Sequence, residues 1–216
     1  MTRLRGLYAI TPAHPRAGSP LPAQVEEAIV GGARLIQYRN KGQDGAARLA
    51  DSRGLLAVCR RHGVPLIIND DLELAAAVGA DGVHLGRDDP DPGEARGRLG
   101  PDAIIGVSCY DDLERARKAQ RAGADYAAFG SFFASATKPR AVHAALDLLR
   151  RARLELNLPL VAIGGITPEN GGPLIAAGAD MLAVVEGVFG QPDIRAAALA
   201  YNRLFPTEVS PDDPIP

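Results

Sequence analysis

Short apolar segments alternate with longer segments of helical periodicity along the chain. We place the apolar segments as eight strands, each followed by a helix: Leu7–Ile10, Leu35–Tyr38, Leu66–Asn69, Gly82–Leu85, Ile104–Ser108, Tyr126–Phe129, Leu160–Ile163 and Met181–Val184. Alternating strands and helices are typical of βα units around a parallel sheet. Eight units predict a single (β/α)8 TIM barrel of the α/β class. An open doubly wound sheet is the alternative, although no GxGxxG motif follows the first strand.

A Gly-Ala-Asp triplet precedes three of these strands, at residues 79–81, 123–125 and 178–180. Glycine at such points ends a helix by adopting a left-handed conformation, so the triplets predict equivalent turns between helix and strand. We assign residues 1–205 to the barrel. Residues 206–216 include four prolines and are predicted to form a disordered tail.

Composition narrows the classes of partner. The chain has 24 basic and 26 acidic side chains, and the resulting net charge of -2 gives no electrostatic case for a nucleic-acid partner. No apolar run approaches the roughly 20 residues of a membrane-spanning helix, and no signal peptide is recognisable, so a cytoplasmic location is expected. Cys59 and Cys109 form no CxxC motif, which argues against a zinc site. Whether the chain forms a homo-oligomer is open.

Polar side chains cluster where the second strand ends. Gln37, Arg39 and Lys41 alternate along the strand and therefore share one face. Arginine and lysine together suit a diphosphate. A structural ion-pair network inside the barrel is the alternative.

Carboxylates follow the third and fourth strands. Asp70 and Asp89 are a sufficient pair for Mg²⁺, which is usually held by one or two carboxylates together with water and substrate phosphates. For each acid the alternative is a helix N-cap, and this is the role expected of Asp71. His84, inside the fourth strand, is expected to be packed and hydrogen-bonded rather than a metal ligand.

The later strand ends carry phosphate-binding features. Ser108 places a hydroxyl at the barrel mouth, and residues 130–139 form a loop with hydroxyls and a lysine that could enclose a phosphate or be merely a solvated connection. Gly164 and Gly165 allow close backbone approach before a Thr-Pro helix start. Barrels frequently bind phosphate at this position.

Taken in order, these motifs resemble the thiamine-phosphate synthase family from Leu7 to Phe205. IQYRNK is similar to the family's QLREK segment, IINDD to its IND motif and GVHLGRDD to its GVHLGQED. GVS is similar to its serine motif, GSFFASATKP to its GPxxxTxTK loop and AIGGI to its phosphate-binding turn. The resemblance implies a barrel enzyme that joins 4-amino-2-methyl-5-(diphosphooxymethyl)pyrimidine to a thiazole phosphate, releasing diphosphate and using Mg²⁺.

The resemblance also implies roles for individual residues. The pyrimidine diphosphate would be bound by Gln37, Tyr38, Arg39, Asn40, Lys41, Asn69, Ser108 and Lys138. Among them, the expected catalytic residues are Arg39, Lys41, Ser108 and Lys138. The thiazole phosphate would be bound by Ser135, Ala136, Thr137, Gly165, Val185 and Glu186, and Mg²⁺ by Asp70 and Asp89.

Four positions depart from the family pattern. Tyr38 and Asn40 replace leucine and glutamate but should face away from the site, and Ser135 keeps the hydroxyl of a threonine. Glu186 stands where the family usually has serine, and a carboxylate there would repel the phosphate. Two alternatives remain: a thiazole tautomerase-like homologue, which would not need the basic and metal-binding groups, and a non-catalytic thiamine-phosphate-binding protein.

Overall fold

A computed structural model describes residues 4–42, 44–134 and 144–205. Its eight parallel strands form a closed barrel in sequential order, with β8 paired to β1, which confirms the predicted (β/α)8 fold. The strands are β1 Gly6–Ile10, β2 Ala33–Tyr38, β3 Leu66–Asn69, β4 Gly82–Leu85, β5 Ile104–Tyr110, β6 Tyr126–Phe129, β7 Leu160–Ile163 and β8 Met181–Val184.

Helices surround the barrel. They are α1 Leu21–Val30, α2 Gly45–His62, α3 Leu72–Val78, α4 Pro92–Leu99, α5 Leu113–Arg121, α6 Leu146–Glu155, α7 Pro168–Ala176, α8 Glu186–Phe189 and α9 Ile194–Asn202. The short α8 is additional to the regular alternation and begins directly after β8. None of the helices in the described part is long and apolar enough to cross a membrane.

The predicted strands β3, β4, β6, β7 and β8 have the observed bounds, whereas β1, β2 and β5 are one or two residues longer than predicted. The extension of β5 coincides with an irregularity in its pairing with β6, between Ser108 and Tyr110. Tyr110 has a φ of 57°, in the left-handed region that non-glycine residues seldom adopt. This backbone conformation is not signalled by the apolar pattern.

Both faces of the strands are buried, which explains why several strands are continuously apolar. Along β1, Leu7 and Ala9 belong to the layer between the barrel and its helices, whereas Tyr8 and Ile10 belong to a separate cluster inside the barrel. The inner cluster also contains Leu35, Ile67, Tyr126, Ala128, Val161, Met181 and Ala183. The barrel is therefore filled by side chains below its open end.

The Gly-Ala-Asp turns lie at the amino ends of the strands. Gly79, Gly123 and Gly178 have φ values of 67°, 86° and 114°, as predicted for turns that require glycine. The aspartates of the triplets each accept a hydrogen bond from the backbone N–H of a neighbouring strand, with Asp81 bonded to Leu66, Asp125 to Ile105 and Asp180 to Leu160. These aspartates connect strands on the side of the barrel opposite to the predicted site.

The predicted tail, residues 206–216, lies outside the described residues. Cys59 and Cys109 are buried free thiols, and burial raises the pKa of each to about 12.

Candidate active site

A cavity of about 600 Å³ opens at the carboxyl ends of the strands. Its lining includes seven of the predicted site residues: Gln37, Arg39, Asn69, Ser108, Gly165, Val185 and Glu186. They come from five strand ends or the loops that follow them, and the closed barrel brings them together. In TIM barrels this is the face that carries the chemistry.

The polar face of β2 is directed into the cavity. Gln37 is almost fully buried, and Arg39 is fixed at the strand end because its backbone N–H donates to Thr11 Oγ1 at 2.9 Å. Lys41 Nζ lies 3.4 Å from Asp70 Oδ2 at the more exposed rim. Arg39 therefore lines the cavity, whereas Lys41 pairs with a carboxylate at its rim.

The opposite face of β2 carries two of the departures from the family pattern, Tyr38 and Asn40. The Tyr38 hydroxyl donates to Asp51 Oδ2 on α2 at 3.0 Å, and Asn40 Nδ2 donates to the Tyr38 hydroxyl at 3.1 Å. Both side chains thus face away from the cavity, as strand alternation requires. The substrate contacts implied for Tyr38 and Asn40 do not suit these side chains, and Tyr38 is a packing residue between β2 and α2.

Asp70 and Asp89 meet beside this rim. The backbone N–H of Asp70 donates to the His84 carbonyl on β4 at 2.9 Å, and the Asp70 backbone has a φ of 64°. Asp89 Oδ2 accepts from the Gly86 N–H at 2.6 Å. Burial and the contact with the Asp70 carboxyl raise the pKa of Asp89, although the Gly86 bond opposes this. The two acids are therefore close enough to repel one another when both are ionised.

Two such carboxylates suit a divalent cation, because a cation between them removes their repulsion. No group of three or more His, Cys, Asp or Glu side chains that could hold a metal occurs among residues 4–42, 44–134 and 144–205. A magnesium ion would therefore need phosphate oxygens and water to complete six ligands. Asp71, in contrast, caps α3 by accepting from Leu74 N–H at 2.8 Å, as predicted.

Backbone contacts join the loops that follow β6 and β7. The N–H groups of Phe132 and Phe133 donate to the carbonyls of Ile163 and Gly164, at 3.1 and 3.0 Å. Gly165 has a φ of 60°, and a Cβ there would collide with the carbonyl oxygen of Ala134. Glycine is thus required for this close approach. Ser135, Ala136, Thr137 and Lys138, which were expected to bind substrate, continue this loop outside the described residues.

Thr167 caps α7 and Pro168 is its first residue, as the Thr-Pro pair predicted. The Thr167 N–H donates to Asn170 Oδ1 at 2.8 Å, and Asn170 Nδ2 donates to the Gly165 carbonyl at 3.0 Å. The glycine turn is therefore held by the first turn of α7.

Glu186 is exposed at the start of α8, with Val185 as the cap. Its carboxylate lies along its own helix, because a Cβ placed on Gly190 would be only 2.6 Å from Glu186 Oε2. The absence of a side chain at Gly190 thus leaves room for the carboxylate at the C-terminal end of α8. The expected repulsion of a phosphate at the N-terminal end is correspondingly weakened.

Two arginines in or beside the cavity were missed by the sequence patterns. Arg87 lines the cavity and its guanidinium lies 4.9 Å from the centre of the Tyr110 ring. Arg115 donates from Nε to the Ser108 carbonyl at 2.6 Å and from a terminal nitrogen to the Gly86 carbonyl at 2.7 Å, which ties the β4 loop to the end of β5. Arg87 lies in the loop after β4, and this position could have identified it as a site residue. Arg115 belongs to α5, and nothing in the sequence pattern indicates that it contacts strand ends.

The sequence patterns also gave no sign of the two hydrogen-bonded phenols below the cavity, Tyr8 and Tyr126, which form with His84 what we call the cavity floor. Tyr8 and Tyr126 extend into the barrel from β1 and β6, and their hydroxyls are 2.7 Å apart. His84 lies between Tyr126 and Ser108, at 2.9 Å from the phenol oxygen and 2.8 Å from the serine Oγ. This confirms the packed and hydrogen-bonded role expected of His84.

Fold and cavity define the chain as a (β/α)8-barrel protein with a cationic and carboxylate-bearing pocket at the carboxyl ends of its strands. Residues 7–188 match the family model described as thiamine monophosphate synthase. The chain belongs to this family.

Curated relatives and a solved structure agree with this family. The chain is 56% identical over 204 residues to the thiamine-phosphate synthase of Aromatoleum aromaticum, covering 94% of this chain and 98% of the relative. It is 56% identical over 203 residues to that of Thiobacillus denitrificans, covering 94% and 96%. The thiamine phosphate pyrophosphorylase structure from Pyrococcus furiosus superposes with a TM-score of 0.82 at 34% identity, covering 93% of this chain and 95% of that one.

Proposed function

We propose that this protein is a transferase that condenses 4-amino-2-methyl-5-(diphosphooxymethyl)pyrimidine with a thiazole phosphate to give thiamine phosphate and diphosphate. The observation that carries the proposal is the meeting of Asp70 and Asp89 with Lys41 at the rim of a cavity that Arg39 also lines. This is a combination suited to a diphosphate and a divalent cation. The identity to proteins named thiamine-phosphate synthase supports the choice of substrates.

In the proposed reaction, the bond between the pyrimidine methylene carbon and the diphosphate oxygen breaks, and the electron pair leaves with the diphosphate. The thiazole nitrogen then donates its lone pair to the pyrimidine carbocation, forming the new carbon–nitrogen bond. Arg39 and Lys41 neutralise the charge that develops on the leaving diphosphate, and Lys138 is assigned the same role. No protein nucleophile is needed.

The remaining assignments follow from position. Gln37, Asn69 and Ser108 line the cavity and are assigned to the pyrimidine diphosphate. Asp70 and Asp89 would hold Mg²⁺, which supplies Lewis-acid stabilisation of the diphosphate when bound. Holding both substrates in one cavity reduces the entropic part of the barrier.

The thiazole phosphate is assigned to the other side of the cavity. Gly165 and Val185 offer backbone at the loops after β7 and β8, where barrels frequently bind phosphate. Ser135, Ala136 and Thr137 are assigned to the same phosphate from the loop after β6. Glu186 would take part through its backbone, because its carboxylate is directed toward Gly190.

A thiazole tautomerase-like protein would use the same thiazole side but would not need the β2–β4 groups. Gln37 and Arg39 nevertheless line the cavity, and Lys41 pairs with Asp70 beside it. This co-location favours the transferase over the tautomerase and over a non-catalytic binding protein. We also assign the protein to the cytoplasm.

The proposed function is tested by replacing one of the two aspartates that would hold Mg²⁺. Asp89→Asn keeps an oxygen that can accept from Gly86 but removes the charge, and we expect thiamine phosphate formation to fall by at least about a hundredfold. Asp88→Asn changes the exposed neighbouring carboxylate and serves as the matched control, with turnover within about twofold of the unsubstituted protein. Equal turnover of the two variants, or turnover that does not respond to added Mg²⁺ after chelation, would contradict the proposal.

A further inference from the structure

A chain of hydrogen bonds crosses the cavity floor. Gln37 Nε2 donates to the Tyr8 hydroxyl at 2.6 Å, and the Tyr8 and Tyr126 hydroxyls are 2.7 Å apart. The Tyr126 hydroxyl is 2.9 Å from His84 Nδ1, and His84 Nε2 is 2.8 Å from Ser108 Oγ. The chain therefore links Gln37 on β2 to Ser108 on β5, and both of these residues line the cavity.

The two phenols in the chain are neutral. Tyr8 and Tyr126 are fully buried or nearly so, and burial raises the pKa of each phenol well above its ordinary value. Each hydroxyl has one proton to donate. A phenol that accepts from one neighbour in the chain is therefore free to donate to the other, so the direction of one hydrogen bond sets the direction of the next.

With neutral His84 and one proton between each pair of neighbours, the chain can run in two directions. If the Gln37 amide donates to Tyr8, then Tyr8 donates to Tyr126, and Tyr126 donates to His84 Nδ1. Neutral His84 then carries its proton on Nε2 and donates to Ser108. In the reverse direction, Ser108 donates to His84 and can only accept from a ligand in the cavity.

The charge of the ligand selects between the directions, because a hydroxyl that faces an anionic phosphate oxygen must donate to it. We propose that Tyr126 holds His84 as the neutral Nε2–H tautomer, so that Ser108 accepts from His84 and presents its own proton to a phosphate oxygen of the substrate. His84 and Tyr126 are thus positioning residues that act through Ser108. The choice of direction rests on the proposed function, since that function supplies the anion.

The tautomer can be measured without turnover. In protein labelled with ¹⁵N-histidine and saturated with inorganic diphosphate and Mg²⁺, long-range ¹H–¹⁵N correlation distinguishes a bare imidazole nitrogen from a protonated one. The His84 signal is assigned by its loss in His84→Gln. We expect a bare Nδ1 and a protonated Nε2 at neutral pH. An Nδ1–H tautomer or an imidazolium would overturn the proposal, and neither result would affect the assignment of the reaction.

Phenol variants test whether Tyr126 sets the tautomer. Tyr126→Phe should shift the His84 nitrogen signals toward a mixture of tautomers, because the proton offered to Nδ1 is lost. Tyr201→Phe is the matched control, since its buried hydroxyl donates to the Ile166 carbonyl outside the chain. The His84 signals should be unchanged in this control. An unshifted tautomer in Tyr126→Phe would refute the role of Tyr126.

Side-chain replacement tests the consequence for catalysis. His84→Leu removes the donor to Ser108 and should lower kcat about tenfold or more, as expected for a lost hydrogen bond that supports a charged group. His84→Gln keeps an amide N–H of similar reach and should recover most of this loss. KM for the thiazole phosphate should be similar in both variants. Equal kcat in two folded variants would show that His84 only fills space.

Discussion

Replacing Gly165, which is assigned to the thiazole phosphate, should change the stability of the protein by an amount that the structure allows us to estimate. Its φ of 60° lies in the left-handed region, and a Cβ at this position would collide with the Ala134 carbonyl oxygen. The left-handed conformation alone costs a non-glycine residue roughly 1–2 kcal/mol, and relief of the collision adds to this. We therefore expect Gly165→Ala to reduce the free energy of unfolding by about 2–3 kcal/mol.

A matched control is available in another helix. Gly97 lies inside α4, has no positive φ and leaves open space around an added Cβ. Alanine is favoured over glycine in a helix interior, so Gly97→Ala should raise the free energy of unfolding by about 0.5–1 kcal/mol. The same chemical change thus has opposite effects at the two positions.

Thermal unfolding followed by circular dichroism measures both variants. For a domain of this size, each kcal/mol shifts Tm by about 2–4 °C, so Gly165→Ala should lose about 4–12 °C and Gly97→Ala should gain about 1–4 °C. Because the collision would also displace the loop that follows β6, Gly165→Ala should raise KM for the thiazole phosphate more than KM for the pyrimidine diphosphate. Equal Tm values for the two variants would refute the reasoning.

Three further predictions address charge and burial. Glu186→Ser should lower KM for the thiazole phosphate by about twofold, since an exposed carboxylate interacts weakly with a charge in water; an unaltered KM would count against any repulsion. Gly190→Ala places a Cβ 2.6 Å from Glu186 Oε2 and 2.7 Å from the Glu186 carbonyl oxygen and should raise the same KM, an effect that the additional Glu186→Ser change should reduce but not abolish. Burial raises the pKa of Cys59 and Cys109 to about 12. The thiols of the unfolded chain therefore ionise at a lower pH, about 9. The stabilisation of the folded state by these two neutral thiols falls as the pH rises above that value. Native protein at pH 9 should therefore resist alkylation that modifies the unfolded chain rapidly, and rapid labelling of the native protein would contradict this.

Much of the fold could be predicted from local patterns. Strand bounds at Leu66–Asn69 and Leu160–Ile163 were predictable because burial on both faces requires an unbroken apolar run, which ends at Asn69 in the first case and before Gly164 in the second. The position of Gln37, Arg39 and Asn69 in one cavity followed from strand alternation and barrel closure. These inferences need only neighbouring residues and the known geometry of a barrel.

What could not be predicted depends on residues far apart in the chain. Tyr8 and Tyr126 share a hydrogen bond although 118 positions separate them, and each alone reads as an ordinary strand residue. The contacts of Arg115 with two strand ends and the direction of the Glu186 carboxylate depend on packing, which the local pattern does not encode. The resemblance assigns every residue of the β2 motif to the substrate, but strand alternation turns the Tyr38 side chain toward Asp51 on α2.

The most direct test of the proposed transferase is a ³¹P NMR time course with purified protein, Mg²⁺ and both substrates. We expect thiamine phosphate and diphosphate to appear in equal amounts, and neither to appear when either substrate is omitted. Absence of both products from folded protein, or release of diphosphate without thiamine phosphate, would contradict the account.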